Sequence, residues 1–364
     1  MSPFFDIFDT QKIQEPPLKE KLSEYYKLNE QELQKHWQED IFSFDANVLL
    51  NLYRYTPKTR DAFFDLLDKI KDRVWISYQV AFEYQKNRLV VINKQHIAYT
   101  EIRNLLIDKK GEIEAKLNDY KRHPYLQTEE LKKQIQSAFE SINKDISKLE
   151  KSHPDYLQDD PTWERLTKIL DKKIGDDNTG EELEKIYKDG KKRYDEDIPP
   201  GYKDKVTKKN EGNRSLYGDV IVWNQIIKHA KDIPSSIIFI TDDRKEDWWY
   251  KFKGKTIGPR PELIKEFKDL TGKRINIYQA DNFLDLALKN LKQASNPEAI
   301  EEIRKVREAD EMEIDKERKL MEMFLEDNGD ENYKENAKKL LSQKETSFEK
   351  AIRTTAEENK NNEK

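Results

Sequence analysis

Ser236-Ile237-Ile238-Phe239-Ile240-Thr241-Asp242-Asp243 decides how the rest of the chain is read. Its β-branched and aromatic run follows Pro234 and has no polar alternation, which predicts a strand buried on both faces. Ile41-Phe42-Ser43-Phe44, ending at Asp45, has the same character, and Val74-Trp75-Ile76 reads as a further strand. Arg274–Tyr278 is the last. Between them, apolar residues recur at helical spacing: Phe63, Phe64, Leu66, Leu67 and Ile70 before Val74, and Ile221, Val222, Ile226 and Ile227 before Ile237. Helices are also expected from about Gln79, near 261–270 and over 281–293. Strands alternating with helices predict an α/β domain with a parallel sheet flanked by helices.

That core occupies two separated zones. Residues 40–95 form its first part and 199–293 its second, with a charged helical insertion over 96–198 between them. Within the insertion, helices around 79–120 and 128–150 are expected to pair as a projecting antiparallel hairpin. Residues 1–39 read as an N-terminal helical segment and 294–364 as a charged helical tail, helical to about 326 and again around 331–355.

Charged residues make up 38% of the chain and hydrophobic ones 35%, a balance that suits a modest core with long solvated helices. The 67 basic and 72 acidic residues leave a net charge of −5, so no global basic field draws in nucleic acid and any such binding rests on a local patch. Cysteine is absent, which excludes disulfides, thiolate nucleophiles and cysteine zinc sites. The five histidines are too scattered for a zinc motif, so metal chemistry would rest on oxygen ligands. No apolar run is long enough for a membrane span and Met1–Asp9 lacks the regions of a signal peptide, so a cytoplasmic protein is expected.

Ligands of open α/β sheets bind beyond the carboxyl ends of the strands. Asp45 follows one strand, and Asp242 and Asp243 follow another. Asp219 stands near the start of the helix before Ile237, and Glu83 early in the helix after Ile76. Acids so placed are positioned to hold Mg²⁺ or Mn²⁺, ions that favour oxygen ligands and support phosphodiester hydrolysis. Plainer roles are open to each: an Asp after a strand also caps helices or forms turns, and Asp219 also suits a helix N-terminus.

The wording of these segments resembles the PIN-domain superfamily, and within it a PIN-like group often found in bacterial mobile and defence loci. The resemblance is carried by Phe44-Asp45-Ala46-Asn47-Val48-Leu49-Leu50-Asn51-Leu52-Tyr53-Arg54, by Gln79-Val80-Ala81-Phe82-Glu83-Tyr84-Gln85-Lys86-Asn87-Arg88, by Tyr217-Gly218-Asp219-Val220-Ile221-Val222-Trp223 and by Phe239-Ile240-Thr241-Asp242-Asp243. Pro199-Pro200-Gly201-Tyr202-Lys203-Asp204 and Lys245-Glu246-Asp247-Trp248-Trp249 are similar as well. It implies a metal-dependent endoribonuclease whose catalytic acids are Asp45, Glu83, Asp219 and Asp243, with Asp242 as an added metal ligand. Asn47 and Thr241 would support the site, and Asp204 and Asp247 would stand behind it. A role as toxin or anti-phage effector is implied by the same association.

Around the acids, Arg54, Lys86, Arg88, Lys208, Lys209, Arg214, Arg244 and Lys245 are expected to meet RNA phosphates, and Trp248, Trp249 and Tyr250 to stack on bases. Two of these assignments have structural alternatives: the tryptophans as core residues, and Arg88 in an internal ion pair. The insertion or the tail is expected to serve a homo-oligomer or a protein partner. Other readings stay open: a flap-type DNA nuclease, and a non-catalytic PIN-like scaffold binding RNA or protein. The scaffold is disfavoured because every acidic position is filled. A phosphatase or receiver-like domain with Asp45 as nucleophile lacks the second Asp of an Asp-x-Asp motif.

Overall fold

The computed structural model describes residues 17–326; the expected helix around 331–355 and the start of the N-terminal segment lie outside them. The described residues up to Val306 form one compact unit.

After a short helix α1 (Pro17–Lys21), α2 (Glu30–Glu39) opens with a reciprocal cap in which Asn29 and Glu32 each bond the other's backbone N–H. It delivers Trp37 into the core just before β1 (Ile41–Phe44). Asp45 turns the chain into α3 (Ala46–Asn51), and α4 (Pro57–Ile70) follows with proline in its first turn, where no N–H is needed. The residues picked out by helical spacing, Phe63, Phe64, Leu66, Leu67 and Ile70, are the ones α4 buries.

Val74-Trp75-Ile76 does not form a strand of its own. A 3₁₀ turn ends at Arg73 and Ser77 already caps the next helix, so only three residues remain extended. They make isolated parallel bridges, Val74 to Phe42 and Ile76 to Ile174.

From Ser77 springs α5 (Tyr78–Asp119), a single helix of 42 residues. Its buried residues, Gln79, Val80, Tyr84, Val91 and Ile92, all lie in the first half. Beyond them it leaves the core and pairs with α6 (Thr128–Ser152). The partners fix an antiparallel hairpin: Lys132 bonds Asn118 near the tip, Arg103 bonds Glu150 further down, and Tyr99 meets His153 at the base. The following α7 (Pro161–Leu170) returns to the core through Leu166, Ile169 and Leu170. α8 (Gly180–Asp195), capped by Thr179, packs Ile186 and Tyr194 with Tyr217, Val220 and Ile221 in a smaller cluster.

A short helix α9 (Asn213–Leu216) leads into α10 (Gly218–Asp232), which precedes β2 (Ile237–Ile240). Next comes an antiparallel pair that the sequence pattern did not suggest, β3 (Trp249–Phe252) and β4 (Lys255–Pro259). Its two-residue turn has positive φ at Lys253 (48°) and Gly254 (75°), the conformation a tight hairpin requires. α11 (Pro261–Thr271), β5 (Asn276–Tyr278), α12 (Ala280–Asn290) and α13 (Pro297–Glu326) complete the described chain.

The central sheet has the order β1-β2-β5, all parallel. β2 lies in the middle with its four side chains fully buried, as a strand covered on both faces must. One face is filled by an aromatic cluster: Phe283 of α12 stands 5.4 to 6.2 Å, ring to ring, from Trp37, Phe42, Phe44 and Phe63. Among the described residues no helix is long and apolar enough to cross a membrane. Phe283→Ala is expected to lower unfolding free energy by ~3–5 kcal/mol, the cost of deleting a ring that four others enclose. Urea denaturation checks this, and a loss below about 1 kcal/mol would contradict the packing role.

Candidate active site

Parallel strands place all their carboxyl ends on one edge, and helices that return between them begin at that edge. Four acids reach it by four routes. Asp45 leaves β1, Asp243 follows β2, Asp219 sits in the first turn of α10, and Glu83 lies in the second turn of α5.

Asp45 is held most tightly. Its backbone N–H bonds the carbonyl of Ile240 across the sheet, at 2.8 Å. Its Oδ1 caps α3 by accepting the N–H of Ala46 at 2.7 Å. Its Oδ2 accepts from Thr241 Oγ1 at 2.7 Å and from Asn47 Nδ2 at 2.8 Å. Asn47 and Thr241 thus position Asp45, and the capping role open to Asp45 is filled by the same carboxylate that faces the other acids.

Glu83 accepts from Gln79 Nε2 at 2.8 Å, and Gln79 in turn accepts from Arg214 Nε at 2.9 Å. Gly218 makes room for that carboxylate: a Cβ on Gly218 would stand 2.6 Å from Glu83 Oε1. Asp219 accepts from the indole N–H of Trp248 at 3.2 Å. Gly201 packs against the same residue, with φ +90° and room for no Cβ beside Asp219 and Tyr194.

Two lysines lie among the acids. Lys245 Nζ is 2.6 Å from Asp204, 2.9 Å from Asp243 and 3.7 Å from Asp219. Lys208 Nζ is 2.7 Å from the other oxygen of Asp204. Although burial opposes it, this pairing holds the Asp204 carboxyl well below the usual carboxylate range. Lys245 is half-buried, yet Asp204, Asp243 and Asp219 keep its ammonium firmly charged.

The lysines do not offset all the negative charge. Burial and the charges of Asp219, Glu83 and Asp243 push the Asp45 carboxyl up to about 7, against the Thr241 hydrogen bond. Glu83 is raised by burial despite Lys208, and Asp243 by burial despite Lys245. Such a site is short of cationic charge. Its donors are all hard oxygens, the kind Mg²⁺ and Mn²⁺ favour, so the residues fit such an ion in chemistry. Among the described residues no three of these groups already stand around one point as a ready metal cluster.

Several expected roles need correction. Asp242 points away from the other acids: it is buried, accepts the N–H of Ala280 at 3.0 Å on Oδ1 and Asn51 Nδ2 at 3.0 Å on Oδ2, and so ties α12 to α3. Trp248 is 1% exposed, packs on Trp223 and Phe239, and offers no face to a base; Trp249 is buried too. Arg88 forms an internal ion pair with Asp160 beneath the Trp163 ring. Arg214 binds Asp177 and Gln79 and covers Phe82. Lys245 and Lys208 turn inward to the acids. Arg54 bonds Asn51 at 2.8 Å, Lys86 is exposed on α5, and Arg244 is half-buried.

Asp204 is buried against the two half-buried lysines and adds its charge to that felt by Glu83 and Asp243. Asp247 stands behind it, accepting the N–H of Lys203 at 3.0 Å and so anchoring the turn that carries Asp204. Roles for Gly218 and Gln79 were not apparent from the sequence, although both lie in its motifs. Glycine directly before an acid at a helix start was the available signal.

A model of the PIN-like domain family matches residues 41–263, more than half of the chain. The chain belongs to the PIN-like domain family, whose members are typically metal-dependent nucleases. Neither curated proteins nor solved structures give a match.

The geometry makes two measurable demands. Asp242→Ala leaves Asn51 and the Ala280 N–H without a buried partner and is expected to cost ~1–3 kcal/mol of stability in urea denaturation. An unchanged midpoint would contradict the structural role. Asp45, whose folded pKa of about 7 exceeds the ordinary 3.8, binds its proton more tightly folded than unfolded. Without divalent ions, its contribution therefore favours folding most at low pH and declines as pH rises from about 4 to about 7. Melting curves in EDTA across that window should decline less steeply for Asp45→Asn; equal slopes would reject the assignment.

Proposed function

We propose that the protein is an endoribonuclease that uses Mg²⁺ or Mn²⁺ held by Asp45, Glu83, Asp219 and Asp243. The observation that carries this reading is the meeting of those acids at one sheet edge with less positive charge than they need. A divalent ion bound there supplies an activated water and stabilises the departing oxygen of a phosphodiester. The chain's own residues do the positioning. Thr241 and Asn47 orient Asp45, Gln79 orients Glu83, and Trp248 orients Asp219. Lys245 bridges Asp204, Asp219 and Asp243 and holds them close together.

RNA as substrate and a role as toxin or anti-phage effector rest on the family resemblance. A flap-type DNA nuclease uses acids in the same way, so substrate preference separates the two. A scaffold without activity would have no need to keep these acids half-buried together with too little positive charge, which disfavours it.

Purified protein is expected to cleave labelled single-stranded RNA with Mn²⁺ or Mg²⁺ and not with EDTA. Asp45→Asn and Asp219→Asn are each expected to lower the rate by at least about 100-fold. Preference for branched DNA would sink the RNA assignment, and cleavage surviving both substitutions would sink the site. Gly218→Ala gives a finer check. Its methyl displaces the tip of Glu83, so activity should fall by about 10–100-fold while the melting temperature holds. Loss of stability without loss of activity would count against Glu83.

A further inference from the structure

The β3–β4 hairpin contributes no acid to the site, and its composition is unlike that of the chain around it. Residues 250–258 read Tyr250-Lys251-Phe252-Lys253-Gly254-Lys255-Thr256-Ile257-Gly258: three lysines, two aromatic rings and no acid, in a protein of net charge −5. Tyr250 is 42% exposed, Phe252 57% and Ile257 53%. Among the described residues the ribbon pairs with no other strand, and its rings stand at alternate positions along β3.

The strand pairing keeps the rings open. Tyr250 lies opposite Gly258, which brings no side chain to cover it, and a Cβ built on Gly258 would meet nothing within 4 Å. Phe252 lies opposite Lys255, and the Lys253 ammonium sits 5.6 Å from the Phe252 ring centre. Planar faces and ammonium groups therefore alternate along one short ribbon.

The ribbon is also anchored to the acids. Trp248 donates to Asp219, and Trp249, the first residue of β3, donates to the backbone carbonyl of Asp243. Tyr250 is the next residue, about 3.8 Å away along the backbone. The base of the ribbon is thereby bound to two of the proposed catalytic acids.

We propose that this hairpin is the docking platform for a single-stranded stretch of RNA, with Tyr250 and Phe252 stacking on unpaired bases and Lys253 and Lys255 contacting phosphates. Stacking on exposed rings requires splayed bases, which a duplex does not offer, and the cations match a polyanion that the acidic remainder of the protein repels. The proposal rests on the nuclease reading and adds where its substrate lies.

The test is fluorescence anisotropy with a labelled single-stranded RNA of about ten nucleotides, in EDTA so that nothing is cleaved. Tyr250→Ala/Phe252→Ala is expected to weaken binding by about tenfold or more. Lys253→Glu/Lys255→Glu should reduce the dependence of log K on log salt by at least about 1.4. A blunt RNA duplex of the same length should bind more weakly than the single strand. In Mn²⁺, the ring variant should raise KM and leave kcat near wild type, and all variants should melt like the wild type because the altered side chains are exposed. Hairpin variants that bind single-stranded RNA as tightly as wild type, or a wild type that prefers the duplex, would overturn the platform while leaving the nuclease reading intact. A wild type that neither binds nor cleaves RNA would overturn both.

Discussion

The hydrogen bond from Thr241 to Asp45 joins residues 196 positions apart, and the candidate site is organised around it. It exists because β1 and β2 pair in parallel with Phe44 opposite Ile240, so that the residues leaving both strands emerge side by side. A slip of one residue would turn every side chain of the slipped strand to the opposite face. The buried apolar residues of β2 and the aromatic cluster around Phe283 resist such a slip. Core packing, which carries no chemistry, thereby sets where the acids stand.

Bringing the acids together creates a problem of charge. Asp45, Glu83, Asp204, Asp219, Asp243 and Asp247 lie close enough to influence one another, and burial makes the anions of Asp45, Glu83, Asp243 and Asp247 harder to sustain. The protein answers partly with Lys245 and Lys208. Three acids share the Lys245 ammonium, whereas Asp45 and Glu83 lean on neutral hydrogen-bond donors. The acids thus fall into a set in ion pairs with lysine and a set, Asp45 and Glu83, held in place by hydrogen bonds.

Much of this was legible in the sequence, for uneven reasons. β1 and β2 announced themselves because strands covered on both faces are almost continuously apolar, with Ser43 the one break in β1, and the α4 face appeared in its spacing. Acids at strand ends could be named because the direction of a parallel sheet sends its carboxyl ends to one edge. Less visible was anything decided by side-chain direction. Asp242 and Asp243 are adjacent and chemically alike, yet one closes the α12–α3 contact and the other faces Lys245. Trp248 and Tyr250 both looked suited to stacking on bases, but one is enclosed by Trp223 and Phe239 and the other is open. Val74-Trp75-Ile76 has strand-like residues but too few of them between a 3₁₀ turn and a helix cap. The β3–β4 hairpin escaped notice because its polar residues and exposed rings lack the in-and-out alternation of a half-buried strand.

The length of α5 has a mechanical consequence. Glu83 and Asp119 belong to one helix without a proline, about 54 Å apart at the ordinary rise per residue. A helix transmits bending and twist along its hydrogen-bonded ladder far better than a loop does. The tip of the α5–α6 hairpin and the carboxylate at the sheet edge therefore belong to one continuous element, clamped in the core by Tyr84, Val91 and Ile92 between them.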